Sequence, residues 1–190
     1  MAINTSKLEL KTPRLLLRQW KPTDLEPFAK INADPIVMEH LLSVRTIEES
    51  AAWVERNNES FNAQGFGLFA IELNETGKFI GFVGLCPAKF EAHFTPCLEV
   101  GWRLAKEHWG NGYAPEGARR VLEFAFEELK LEEIFSWCAT TNKNSIRVME
   151  KIGLHRDFDN DFDYPSCPEG HRLRRHVLYR LKASEFAAAR

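Results

Sequence analysis

The sharpest chemical promise in this sequence lies at His108-Trp109-Gly110-Asn111-Gly112-Tyr113-Ala114-Pro115-Glu116-Gly117. Glycines there let the backbone turn tightly and point successive N–H groups outward, and a helix starting just beyond adds the positive end of its dipole. A pyrophosphate would be at home in such a cradle. The dinucleotide fingerprint G-x-G-x-x-G fails because Pro115 occupies its third glycine position. The P-loop fails because Ala118 and Arg119 stand where Lys and Ser or Thr must meet phosphate and Mg²⁺. A turn that merely joins two elements is the alternative reading.

A second run alternates Asp157, Asp159, Asp161 and Asp163 with Phe158, Phe162 and Tyr164. Clustered carboxylates attract a cationic amine, and aromatic faces hold its stem. The competing reading is a solvated acidic loop whose rings tuck into the core. The run of His171, Arg172, Arg174, Arg175 and His176 that follows is too short for a nucleic-acid patch and reads as ion pairing within the domain. Cys86, Cys97, Cys138 and Cys167 lack C-x-x-C or Cys/His ligand spacing, so reduced thiols and no metal site are expected. No cysteine has a nearby motif histidine to make it a nucleophile.

The elements that must position these groups follow from periodicity. Leu10 to Trp20 reads as a first strand, and the T-x-x-E boxes at Thr23–Glu26 and Thr46–Glu49 predict helices to about Ala33 and Phe61. Phe66–Leu73 and Phe79–Cys86, joined by Asn74-Glu75-Thr76-Gly77, form a hairpin pattern. A strand at Leu98–Leu104 leads into the glycine turn, and Pro115 to Leu129 carries apolar residues at helical spacing. A strand at Ile134–Thr140, a helix at Asn144–Ile152 closed by Gly153, and strands at Leu154–Phe158 and His176–Leu181 complete an α+β domain with a mainly antiparallel sheet.

Composition bounds the partners. The 190 residues are 44% apolar with a net charge of −2, which suits one soluble domain spanning the whole chain. Near-zero charge gives no global pull towards nucleic acid or an anionic membrane. The N-terminus lacks the apolar core of a signal peptide, and no stretch is long and apolar enough to span a bilayer, so a cytoplasmic location is expected.

Several segments together resemble the GCN5-related N-acetyltransferase (GNAT) family, in particular its RimJ/RimL-like branch. They are Pro13-Arg14-Leu15-Leu16-Leu17-Arg18, Leu98-Glu99-Val100-Gly101-Trp102-Arg103-Leu104, the glycine turn, Asn142 to Leu154, and Leu173 to Leu181. The resemblance implies the GNAT fold: a mixed, mainly antiparallel twisted sheet with a splayed central strand and flanking helices. It implies acetyl-CoA as co-substrate and a primary amine as acceptor, either a protein or peptide N-terminus, as in ribosomal-protein acetylation, or a small molecule. A cationic acceptor and a homodimer are compatible with it, and a CoA-binding sensor without turnover is the alternative on the same fold.

Residue roles are carried over by position. Gly110, Asn111, Gly112, Tyr113 and Ala114 match the family's pyrophosphate turn, with Trp109 in place of its Gln or Arg; Trp109 and His108 read as packing residues. Val100, Gly101, Trp102, Arg103 and Leu104 match the splayed strand that pairs with pantetheine, where a backbone amide also polarises the thioester carbonyl. Acetyl transfer needs a neutral amine, so a base is useful, and Glu99 is the leading candidate, with Glu91 and His93 as others. The family's usual tyrosine acid falls on Met149, which has no proton to give. The branch's Asn-x-x-Ser is matched by Asn142 and Ser145, implying cofactor contacts and a hydroxyl at the CoA sulfur, while both residues are also favoured helix caps. Arg147 and Lys151 follow as candidates for the nucleotide phosphates.

Overall fold

A computed structural model describes residues 8–188. In chain order the elements are β1 (Leu10–Lys11), β2 (Leu15–Arg18), α1 (Leu25–Ala33), α2 (Ile47–Gln64), β3 (Leu68–Leu73), β4 (Phe79–Pro87), β5 (Leu98–Leu104) and α3 (Tyr113–Glu123). They continue with β6 (Glu133–Ala139), α4 (Lys143–Lys151), β7 (His155–Arg156), β8 (Phe162–Asp163), β9 (Arg175–Lys182) and α5 (Ala183–Ala188). The strands form one sheet ordered β1-β2-β3-β4-β5-β6-β9-β7, with β8 on β9. Every pairing is antiparallel except β5 with β6.

Period-2 alternation along the central strands builds two cores, one on each face. Phe69, Ile71, Val83, Leu85 and Val100 turn to the face covered by α3 and α4, where Val121, Leu122 and Met149 are fully buried. Leu68, Ala70 and Phe82 turn the other way, onto Trp20, Phe28 and Trp53 beneath α1 and α2. Gly117 lets α3 lie close on the sheet, because a Cβ there would sit 3.0 Å from Val83 Cγ1.

Local readings changed where tertiary partners intervened. The first strand is broken into β1 and β2, which pair with each other around residues 12–14. The Thr23–Glu26 box does not form. Asp24 accepts the Lys21 N–H instead (2.8 Å) and is buried against Arg18 (2.6 Å), so α1 begins after a short 3₁₀ turn at Pro22–Asp24. The Thr46–Glu49 box does form, with both reciprocal bonds in place, and α2 ends at Gly65 in the left-handed region (φ 79°). The helix after the glycine turn starts two residues before Pro115 and ends in a π turn over Phe124–Glu128. The predicted Leu154–Phe158 strand shrinks to the two residues of β7.

Candidate active site

The site grows from the one place where the sheet opens. Parallel β5 and β6 keep a single registered pair, Glu99 with Phe135. Just beyond it, the buried Ser136 hydroxyl donates to the Val100 carbonyl (2.9 Å) and ties the two strands. From Gly101 to Leu104 the β5 edge has no strand partner on that side among the described residues. A cavity of about 690 Å³ fills the gap and reaches from the glycine turn to the lip formed by residues 36–45.

Side-chain alternation then sorts β5. Val100 and Leu104 enter the core, whereas Glu99, Gly101 and Arg103 share the face turned to α1 and α2. The Glu99 carboxylate lies against Gly101, where an added Cβ would meet its Oε1 at 3.6 Å. Burial pushes the Glu99 carboxyl up to about 8, opposed only in part by the Cys86 thiol, which donates to its Oε2 (3.7 Å). Glu99 and Arg103 share this face without pairing with one another. Arg103 instead donates to Asn32 Oδ1 (2.6 Å). Glu91 and His93 are exposed and stand off the cavity wall.

At the other end, Gly110 (φ 79°) and Gly112 (φ 78°) take left-handed conformations, and Gly112 caps α3. Among the described residues the backbone N–H groups from Gly110 to Ala114 meet no protein acceptor. The turn is braced from outside: Arg14 donates to the Asn111 carbonyl (2.9 Å), pairs with Glu116 (2.6 Å) and lies 4.7 Å from the Tyr113 ring centroid. Despite partial burial, hydrogen bonds from Thr12 and Arg14 hold the Glu116 carboxyl below its ordinary range. Trp109 is exposed rather than packed away, and its indole N–H donates to the Leu104 carbonyl (2.9 Å), closing the end of the β5 edge. His108 Nε2 is buried at the same end and meets no hydrogen-bond partner among the described residues.

Asn142 caps α4, its Oδ1 accepting the Ser145 N–H (3.1 Å). Both residues line the cavity, and the Ser145 hydroxyl meets no protein partner among the described residues. Capping and exposure to the cavity therefore coexist. Arg147 and Lys151 are exposed on the same helix and border the cavity. Met149 is fully buried and takes no part.

The acidic run behaves differently. Asp157 pairs with Arg180 (3.2 Å), Asp161 with Arg156, and Asp163 with Arg174 (3.1 Å) and Arg175 (3.3 Å). None of the four aspartates borders the cavity, so the expected carboxylate field for a cationic acceptor is absent. Phe162 is buried, and only Tyr164 of the run reaches the site, stacked on His176 (4.9 Å) with its hydroxyl pushed up by burial and by the Glu99 charge.

Sequence reading missed Cys86, Ser136 and Arg45 as cavity groups, because their partners lie on other elements; Tyr164 is the one aromatic of the acidic run that it placed at the acceptor and that reaches the cavity. It also missed a thiol–imidazole contact, Cys167 Sγ to His171 Nδ1 (3.3 Å), which the i, i+4 spacing could have signalled. The Leu173 N–H donates to the same nitrogen (3.1 Å), so the pair staples a turn. No group of three metal-ligating side chains occurs among the described residues, and no helix there is long and apolar enough to cross a membrane.

Comparison with known proteins gives this geometry a setting. Residues 14–155 match the Acetyltransferase (GNAT) domain family. The chain is 30% identical over 179 residues to the uncharacterized N-acetyltransferase YnaD of Bacillus subtilis, covering 94% of this chain and 99% of that one. It is 34% identical over 167 residues to the FsC-acetyl coenzyme A-N(2)-transacetylase of Aspergillus fumigatus, covering 82% and 69%. The crystal structure of a GNAT-family acetyltransferase from Bacillus anthracis superimposes with a TM-score of 0.74 at 26% identity, over 93% of this chain and 99% of that one.

Proposed function

The chain belongs to the GNAT acetyltransferase family and is an acetyl-CoA-dependent N-acetyltransferase, and from that premise we propose that it passes the acetyl group directly to a primary amine held against Glu99. The observation that carries this reading is the position of Glu99: a carboxyl with its pKa raised to about 8, beside Gly101, where the free edge of β5 begins. Bound acetyl-CoA supplies the activated thioester. The unspent N–H groups from Gly110 to Ala114 hold its pyrophosphate, with Arg147 and Lys151 nearby for its remaining ribose phosphate. The edge from Val100 to Leu104 pairs with the pantetheine arm as an added strand would, and a Gly101-side amide polarises the carbonyl.

Glu99 accepts the proton of the attacking amine. A base near 8 is matched to an α-amine, whose own value is about 7.7–8.0, so both are partly in their reactive forms near neutrality. The Ser145 hydroxyl, at the positive end of α4, donates to the departing thiolate. The acceptor is a protein or peptide N-terminus, as in the RimJ/RimL-like branch suggested by Asn142 and Ser145, or a small-molecule amine, and we place the reaction in the cytoplasm.

A thiol-release assay with acetyl-CoA and a panel of peptide N-termini, amino acids, polyamines and aminoglycosides tests the proposal. Amine-dependent CoA release is expected, with Ser145→Ala lowering kcat at saturation. Micromolar acetyl-CoA binding without release by any amine would favour a CoA-binding module, for which the buried Met149 in the acid position argues.

A further inference from the structure

The acceptor side of the cavity carries two cations, Arg103 and Arg45, that no ion pair neutralises among the described residues. Arg103 leaves β5 on the face shared with Glu99, and Arg45 leaves the lip opposite. Neither has a carboxylate within ion-pair distance among the described residues, whereas the buried Arg18 meets both Asp24 (2.6 Å) and Glu72 (2.8 Å). An enclosed guanidinium without a counter-ion is costly, and burial together with the Arg45 charge drives Arg103 down to about 9. The Glu39 carboxylate on the lip turns to His40 (3.9 Å) and leaves this corner positive.

The corner is built rather than incidental. Asn32, fully buried, accepts from Arg103 through Oδ1 (2.6 Å), donates through Nδ2 to Ser50 Oγ (2.9 Å), and accepts the Arg45 N–H through its backbone carbonyl (3.0 Å). One residue therefore fixes the Arg103 head group through its side chain and the backbone that carries Arg45 through its carbonyl. The Phe82 ring lies 5.4 Å beneath the Arg103 guanidinium and keeps it from swinging into the core. A single hydrogen bond to Asn32 leaves most of the planar donor fork open to the cavity, the geometry that takes a carboxylate in bidentate fashion.

We propose that the acceptor is a small amine that also carries a carboxylate, gripped by Arg103 with Arg45 while its amine faces Glu99. Glu99 and Arg103 lie four residues apart on one strand face, roughly 13 Å between Cα atoms, a span the two long side chains and an amino acid fill together. A polyamine meets repulsion here, and a peptide N-terminus has no carboxylate next to its amine. This inference rests on the acetyl-transfer reading of the same site.

Leucine, leucinamide and isoamylamine, compared as acceptors in the thiol-release assay with wild type, Arg103→Gln and Arg45→Gln, test it. The expected result is a kcat/KM for leucine at least about tenfold above that for leucinamide, with the leucine-to-leucinamide ratio falling towards parity in both variants. The preference cannot come from amine basicity, because the carboxylate makes leucine's amine the less readily neutral of the two. Arg45→Gln guards against misfolding, since the Arg45 contact to Asn32 is through its backbone. Equal rates with leucine and leucinamide in the wild type, or a preference that survives both variants, overturns the proposal. Binding separates the two readings: leucine quenching of cavity tryptophan fluorescence that is lost in Arg103→Gln, without CoA release by any amine, would fail the reaction and keep the anion site. Absence of both binding and release fails the site as well.

Discussion

The glycine turn and the acidic run are two short stretches with obvious local chemistry, and the fold treats them in opposite ways. The turn keeps its groups unspent, the N–H donors from Gly110 to Ala114 meeting no acceptor among the described residues while Arg14 and Glu116 brace it from behind. The acidic run spends its charge: Asp157, Asp161 and Asp163 are consumed by Arg180, Arg156, Arg174 and Arg175. Binding capacity is therefore what remains after internal partners are satisfied, and a cluster of charge in sequence is not evidence of a field in space.

The comparison is tested most severely at the open edge that the turn serves. Glu99→Gln should lower kcat about 10²–10³-fold with acetyl-CoA affinity intact, and should remove the rise in rate as pH passes through about 8. An unchanged pH profile would take Glu99 out of the chemistry. At the turn, Gly112→Val forces a branched residue into φ 78° and should raise the Kd for acetyl-CoA roughly 10²-fold, read by isothermal titration calorimetry.

Glu99 should also be visible in stability. Its folded pKa of about 8 lies above the ordinary 4.5, so the native state disfavours its ionisation. Against wild type, Glu99→Gln should show no gain near pH 4, a gain growing from pH 4.5 to 8, and a plateau of about 2 kcal/mol above that, the cavity water moderating the full effect. Thermal melts across that range measure it.

The acidic side is expected to answer only in stability. Asp161→Ala leaves the partly buried Arg156 and the Leu178 N–H short of an acceptor and should cost about 1–3 kcal/mol in urea unfolding, with acceptor KM unchanged. Asp163→Asn, at the surface, should cost under about 1 kcal/mol and leave KM unchanged too. A rise in KM for a cationic amine in either variant would restore the acidic run as a substrate surface.

What could be read in advance follows from how local each determinant is. The bounds of β5 and the hairpin of β3 with β4 are legible because alternation and turn residues act within a few positions. The same holds for the Thr46–Glu49 cap and the glycine cradle, where one residue's conformational freedom decides the backbone. The Thr23–Glu26 box was misleading because Arg18, held in place by the sheet, claims Asp24.

By itself the sequence determined the order of elements, the anion-ready turn before α3, and Glu99 on the strand leading to it. Only the tertiary structure decided which groups remain available. Arg103 reaches Asn32 across 71 positions, Ser136 ties off Val100 across 36, and Glu99 sits against Cys86 of the neighbouring strand. Burial, counter-ions and unpaired edges are properties of the assembled neighbourhood, and no window of sequence contains both members of those contacts.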